Sequence, residues 1–191
     1  MTWAPDYVTS AELKDYLHIT DNADDAFIGI WITTVSRNVD EHTGRQFGQV
    51  AAAENRYYTP KYDRSECAWF AEVDDIQDTT GLTVTDENGN AVTDFVLLPR
   101  NAAVKGKPYE RLKLGSCTGE VDVYVKWGWT AVPSAVKTGV FLQGARLSAR
   151  RDSPFGISGS PQEQGEIRLL AQLDPDFKTS LKPLRREWWA A

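Results

Sequence analysis

The 191-residue sequence predicts an α+β protein: a small helical bundle with an inserted antiparallel β domain and an extended C-terminal arm. Three observations carry that expectation. Apolar residues recur at helical spacing near the start of the chain and again after residue 133, whereas residues 51–129 hold short β-rich runs divided by turn residues. The last forty residues then mix loop signals with large aromatic side chains. The resulting division is a helical core from 1–50 and 130–151, an inserted β domain over 51–129 and an arm over 152–191.

The first helix opens on a capping box, Thr9-Ser10-Ala11-Glu12, in which hydroxyl and carboxylate each satisfy a free backbone N–H. Val8 and Leu13 are placed for a hydrophobic staple, and Leu13, Tyr16 and Leu17 form the expected buried stripe of a helix that stops near His18. The second helix is expected to be capped by Asn22, with Asp24 and Asp25 at its positive end. Ile28, Trp31 or Ile32, Val35 and Val39 share one face, Phe27 and Ile30 widen it, and Gly44 is the natural stop.

In the β block, the runs 56–59, 68–71, 82–85 and 95–98 read as strands. Val121, Val123, Val125 and Trp127 alternate with Asp122, Tyr124 and Lys126, the pattern of a half-buried strand. Glu87-Asn88-Gly89-Asn90 is a hairpin signal. Pro133 opens a third helix with Val136, Val140 and Leu147 on one face and Phe141 beside it. Gly139 and Gly144 weaken that helix by about 1 kcal/mol each relative to alanine. They either permit close helix approach or are tolerated costs. A last mini-helix is capped by Asp174, carries Pro175 in its first position and stops before Pro183.

A net charge of −6 argues against non-specific phosphate binding, which needs a basic patch. Residues 1–44 hold eight acids and two bases, Lys14 and Arg37, whereas 137–151 hold Lys137, Arg146, Arg150 and Arg151 without an acid. That asymmetry suggests either oriented contacts between surfaces or two solvated helix faces. Cys67 and Cys117 fit no metal spacing and no disulfide framework, so a reducing compartment is the simpler expectation. No signal peptide and no membrane span is expected.

No catalytic, cofactor or metal site is expected. His18 and His42 are the only histidines, neither has a plausible triad around it, and His42 suits the negative end of a helix. The calcium-like start Asp86-x-Asn88-x-Asn90 has Ala91 where the loop needs glycine and Leu97 where it needs an acid. Asp74-Asp75 reads as a loop rather than a metal site. Trp69-Phe70 and Trp127-Gly128-Trp129 are expected inside the sheet, with sugar or base stacking as the competing reading.

The arm is the best candidate for a docking element. Phe155, Ile157, Phe177, Trp188 and Trp189 are its expected anchors, with Arg185 and Arg186 beside them, because interface centres favour large aromatics and arginine.

Several segments together resemble the head–tail connector (adaptor, or head-completion) proteins of long-tailed bacteriophages, those of actinobacterial phages above all. Val8 to Leu17, then Asp24-Asp25-Ala26-Phe27-Ile28, closed by His42-Thr43-Gly44-Arg45-Gln46-Phe47, is similar to the family's opening helix pair. Val96 to Ala102 with Gly106-Lys107-Pro108-Tyr109 resembles its inserted β region. Arg150 to Pro154, Leu173 to Asp176 and Pro183 to Arg186 resemble its C-terminal pattern, while Trp188-Trp189 departs from it. The resemblance implies a non-enzymatic virion protein, without cofactor, located at the neck after assembly in the host cytoplasm. It implies a dodecameric ring below the portal protein that continues the DNA channel and supports a stopper or head-closure protein. Asp15, Asp21, Asp24, Asp25, Asp40 and Glu41 are then channel-lining candidates that let DNA slide. Lys105, Lys107 and Asn88, at the tips of the β domain, are candidates for contacts within the ring or to the next one. Another neck or tail component is the alternative, and a carbohydrate-binding or enzymatic module using the aromatics and Asp74-Asp75 is a further one.

Overall fold

The computed structural model describes residues 3–116, 119–152, 157–158, 167–168 and 173–186. It has an α+β fold that divides into two compact units, one formed by residues 1–46 with 132–191 and the other by Phe47–Ala131. The β block expected over 51–129 thus falls inside the second unit. The first unit continues beyond residue 151.

In the helical unit, α1 (Ser10–Leu17) starts on the capping box. Thr9 Oγ1 accepts from the Glu12 backbone 3.2 Å away, and Glu12 Oε2 accepts from the Thr9 backbone at 2.7 Å. Those Thr9 bonds hold the Glu12 carboxyl below its ordinary range. His18 ends the helix in a left-handed conformation. Val8 and Leu13 are buried, but Tyr16, expected in the buried stripe, is 45% exposed and stacks on Phe141 at 5.3 Å.

The second helix, α2 (Asp25–Thr43), buries Ile28, Ile32, Val35 and Val39 and stops at Gly44, whose φ of 64° suits glycine. Two expectations fail here. Its N-cap position is Asp24, without a side-chain bond, because Asn22 instead accepts from Lys14 Nζ at 2.7 Å. Phe27 and Ile30 do not widen the buried face; they are 48% and 60% exposed.

The third helix, α3 (Ser134–Asp152), packs against both earlier helices and against α4 (Pro175–Leu181). Val136 and Val140 are fully buried along it, while Leu147 is only half-buried. The two α3 glycines are close-approach positions. A Cβ at Gly139 would fall 1.6 Å from Phe177 Cε2, and one at Gly144 would fall 3.1 Å from both Leu13 δ-methyls. Between α3 and α4, two backbone segments pair as β8 (Ile157–Ser158) with β9 (Ile167–Arg168).

The β unit is two antiparallel sheets. One has strand order β1 (Glu54–Tyr58), β7 (Val121–Val125), β4 (Thr83–Asp86). The other runs β2 (Lys61–Asp63), β3 (Ala68–Ile76), β6 (Tyr109–Leu114), β5 (Phe95–Leu98). β7 turns Val121, Val123 and Val125 inward and Asp122 and Tyr124 outward, as its alternation requires. The sheets meet at Gly128, which bridges both Gln49 and Ile76. Its φ of +103° and the Gly48 carbonyl oxygen, 2.1 Å from where a Cβ would stand, leave room only for glycine. Trp127 and Trp129 on either side are buried, and their indole N–H groups donate to the Glu54 carbonyl at 2.8 Å and to Asp75 Oδ2 at 2.7 Å.

That last bond explains how Asp75, only 6% exposed, is accommodated in the interior. Substitution of Trp129 by Phe removes the donor and also shrinks the buried indole to a phenyl ring. The lost hydrogen bond and the space left behind are together expected to lower the stability of the β unit by at least about 1.5–3 kcal/mol, measured as a shift of the urea midpoint. An unchanged midpoint would refute the assignment.

Candidate interaction surfaces

The C-terminal segment does not hang free where it is described. Asp174 caps α4, its Oδ1 accepting from the backbones of Asp176 and Phe177 at 2.8 and 3.3 Å. Its Oδ2 takes Arg146 Nη1 of α3 at 2.5 Å, and its own N–H donates to Gln143 Oε1 at 3.3 Å. Phe177 and Leu181 are buried in the helical unit. Phe177 is therefore not a docking anchor; it fills the gap that Gly139 leaves. Arg186 is buried as well, and its backbone N–H donates to the Thr43 carbonyl at the end of α2 at 2.8 Å. Arg185 lies at the surface. Phe155, Trp188 and Trp189 lie outside the described residues, and Ile157 is described only as backbone in β8.

The charge asymmetry is largely consumed within the helical unit. Lys137 of α3 lies 3.3 Å from Glu12, Arg146 pairs with Asp174, and Arg151 pairs with Asp24 while its guanidinium sits 4.8 Å from the Phe27 ring centre. Lys14 lies 2.7 Å from Asp25. Basic α3 thus meets the acids of α1, α2 and α4, which neither solvated faces nor contacts with other molecules would have required.

Asp40 departs furthest from its expected place. Its side chain is only 15% exposed, accepts the Tyr7 hydroxyl through Oδ1, and has Arg37 Nε 3.2 Å from Oδ2 without hydrogen-bond alignment. Arg37 in turn donates to the Pro5 carbonyl at 2.5 Å. Burial raises the Asp40 pKa despite these partners. The residue is an internal tie between α2 and the segment before α1, so it does not line a channel. Of the six acids expected to face DNA, Asp15, Asp21 and Glu41 are exposed and outside these pairs.

In the β unit, Lys105, Lys107 and Asn88 are exposed, at the hairpin tips where they were expected. Asp86 organises the second tip, accepting from the backbones of Asn88 and Asn90 at 2.9 and 2.8 Å and from the Asn90 amide. The Asn90 bonds pull its pKa below the ordinary value. Of the aromatics expected inside the sheet, Phe70, Trp127 and Trp129 are buried, with the Arg111 guanidinium over the Phe70 ring at 4.3 Å, whereas Trp69 is half-buried and packs against exposed Tyr62 at 5.4 Å. Asp74 and Asp75 lie within strand β3, not in the loop expected for them, and point apart. Asp74 accepts the Tyr58 hydroxyl at 2.9 Å and Arg56 Nη1 at 2.7 Å, so burial and the Asp74 charge raise the Tyr58 pKa.

Sequence reasoning missed this Tyr58–Asp74–Arg56 cluster and the contribution of Arg100 to the basic hairpin tip. The signal for the second was Pro99-Arg100 placed a few residues before Lys105 and Lys107. Among the described residues, no group of three or more His, Cys, Asp or Glu could hold a metal ion, and no helix is long and apolar enough to cross a membrane. Comparison with family models, with curated proteins and with solved structures finds no match to this chain.

Proposed function

We propose that this chain is a structural head-to-tail adaptor of a long-tailed bacteriophage, assembling as a ring beneath the portal protein, continuing the DNA channel and supporting a stopper or head-closure ring. One observation carries the reading. The chain leaves its helical unit at the Gly44 turn, builds the β unit Phe47–Ala131, and returns to complete the same helical unit with α3 and α4. That order, with the His42–Phe47 turn at the point of departure, fits the connector resemblance of the sequence. Surface composition supports association as well. Tyr16, Phe27, Ile30 and Leu142 leave substantial apolar area in water on one helical unit, a feature of surfaces that meet partners.

The docking role passes from Phe177 and Arg186 to the helical surface around Phe27 and Ile30. Asp15, Asp21 and Glu41 are the remaining candidates for a channel wall, where carboxylates repel phosphates and prevent sticking. The test is capture by the portal protein of the same virus. The full chain is expected to be retained on portal rings and to form an added layer at their outer end in electron micrographs. An Ile30→Glu variant with unchanged melting is expected to lose that retention. A chain that ignores portal and is missing from the virion neck overturns the proposal.

A further inference from the structure

The β unit is electrically polar along its β5–β6 hairpin. Between residues 99 and 108 the tip carries Arg100, Lys105 and Lys107 without an acid, whereas the rest of Phe47–Ala131 carries thirteen acids and six bases. The tip is a formed feature rather than a loose loop. Ala102, 1% exposed, plugs it to the sheet, its carbonyl accepts from the backbones of Lys105 and Lys107 at 3.0 Å each, and the Gly106 carbonyl accepts from Gln77 Nε2 at 3.0 Å. Val104 stands at the apex, 90% exposed. An apolar residue held that far into water, with cations beside it and its backbone fixed, loses little freedom on docking.

Asp94 stands at the opposite end of the same strand, about 17 Å from Pro99 at the usual rise per residue. Asp86, Asp94 and Glu120 surround a notch of about 280 Å³ whose walls include Ala91, Val92 and Val121. Glu87 adds a fourth carboxylate, lying against Gly119 so closely that a Cβ there would fall 2.3 Å from its Oε2. Carboxylates rim a recess at this end whose lining, with Thr93 and Ser116 beside Ala91, Val92 and Val121, is more polar than apolar, and cations flank an apolar apex at the other.

We propose that the 99–108 tip of one copy docks into the Asp86–Asp94–Glu120 notch of a second copy, β unit to β unit and head to tail. Since the two surfaces occupy opposite ends of one hairpin, the contact either repeats from copy to copy, giving a closed ring or an open filament, or is made twice about a two-fold axis, giving a closed dimer; the ring is the arrangement that the adaptor reading requires. The inference deepens the adaptor reading and rests on it for closure into a ring. The contact itself needs only a second copy. DNA is the less suitable occupant, because the acids of the same unit outnumber its other bases and repel any polyanion larger than the tip.

The test is sedimentation of the full chain up to millimolar concentration with two charge-reversed variants, R100E/K105E and E87K/E120K. Wild type is expected to self-associate, and more weakly as salt rises. Each variant alone is expected to associate at least roughly tenfold more weakly, with unchanged melting, and an equimolar mixture of the two to recover association because each supplies the surface the other lacks. Wild type that stays monomeric at millimolar concentration, variants that associate like wild type, or a mixture no better than its components each overturns the contact. So does an R100E/K105E variant that loses only retention on DNA. Portal capture is read separately, so a chain that binds portal while failing this test keeps the adaptor reading and loses the knob-and-notch contact.

Discussion

Phe177→Ala is expected to lower the stability of the helical unit by about 3–5 kcal/mol, the usual cost of removing a buried phenylalanine ring. Phe177 is 1% exposed and occupies the space over Gly139. The pairing gives the prediction a sign that a generic core deletion would lack. Gly139→Ala alone puts a methyl group into the ring and is destabilising by about 1–3 kcal/mol, although alanine is the better helix former. In the Phe177→Ala background the clash partner is gone, so the same Gly139→Ala change is expected to stabilise, by up to about 1 kcal/mol of helix propensity. Urea denaturation of the four chains of this cycle measures the coupling. Additive effects would refute the packing of α4 on α3. For the same reason a chain ending at Arg151 is expected to lose cooperative folding of its helical unit. It discards Phe177, Leu181 and the Asp174 bonds to Arg146 and Gln143, leaving apolar surface on α3 in water.

How much of this was legible in the sequence depended on whether the signal was local. The Thr9–Glu12 capping box, the Gly44 stop, the Asp174–Pro175 start and the Val121–Val125 alternation each lie within a few residues, and each is present. Strands β2 and β6 were missed, since Lys61–Asp63 is three residues long and Tyr109–Leu114 mixes charged residues into its outward face. Asn22 looked like a cap, but Lys14 takes its side-chain oxygen from eight residues away. The two glycines of α3 could not be interpreted alone, because what they admit, Phe177 and Leu13, is distant in the chain.

The candidate surfaces were legible to a smaller degree, and for a related reason. Aromatic and basic residues near the end of a chain look available for a partner until the element that covers them is known. Phe177 and Arg186 meet α3 and the end of α2, so their chemistry is spent on folding. The tips fared better. Lys105 and Lys107 are exposed because the hairpin end between Pro99 and Pro108 packs inward through Ala102 and Pro108 and leaves its charged side chains in water, and the sequence marks such ends directly. The acidic notch was not legible, as Asp86, Asp94 and Glu120 come from three separate places along the chain and meet only through sheet registration.

Asp40→Lys is the second large effect expected, and it separates folding from channel chemistry. A lysine there would set an ammonium beside Arg37 and remove the acceptor of the Tyr7 hydroxyl in a place with little access to water. The expected loss is about 3–5 kcal/mol, the cost of leaving a buried charge without its partner. Glu41→Lys, one residue on and exposed, is expected to change stability by less than about 0.5 kcal/mol. Asp40→Asn tests the same site through pH. Burial raises the Asp40 pKa above its ordinary value of 3.8, so the folded chain holds this proton more tightly than the unfolded chain. Its contribution to stability is therefore fully present below pH 3.8 and is lost as pH rises through the raised value, the reverse of an ordinary salt-bridged carboxylate. The stability of wild type relative to Asp40→Asn is accordingly expected to be highest at the acid end of that window and to fall toward neutrality. Urea midpoints of both proteins across the window give the difference directly, and a gap that widens with rising pH would mean that attraction to Arg37, not burial, governs Asp40.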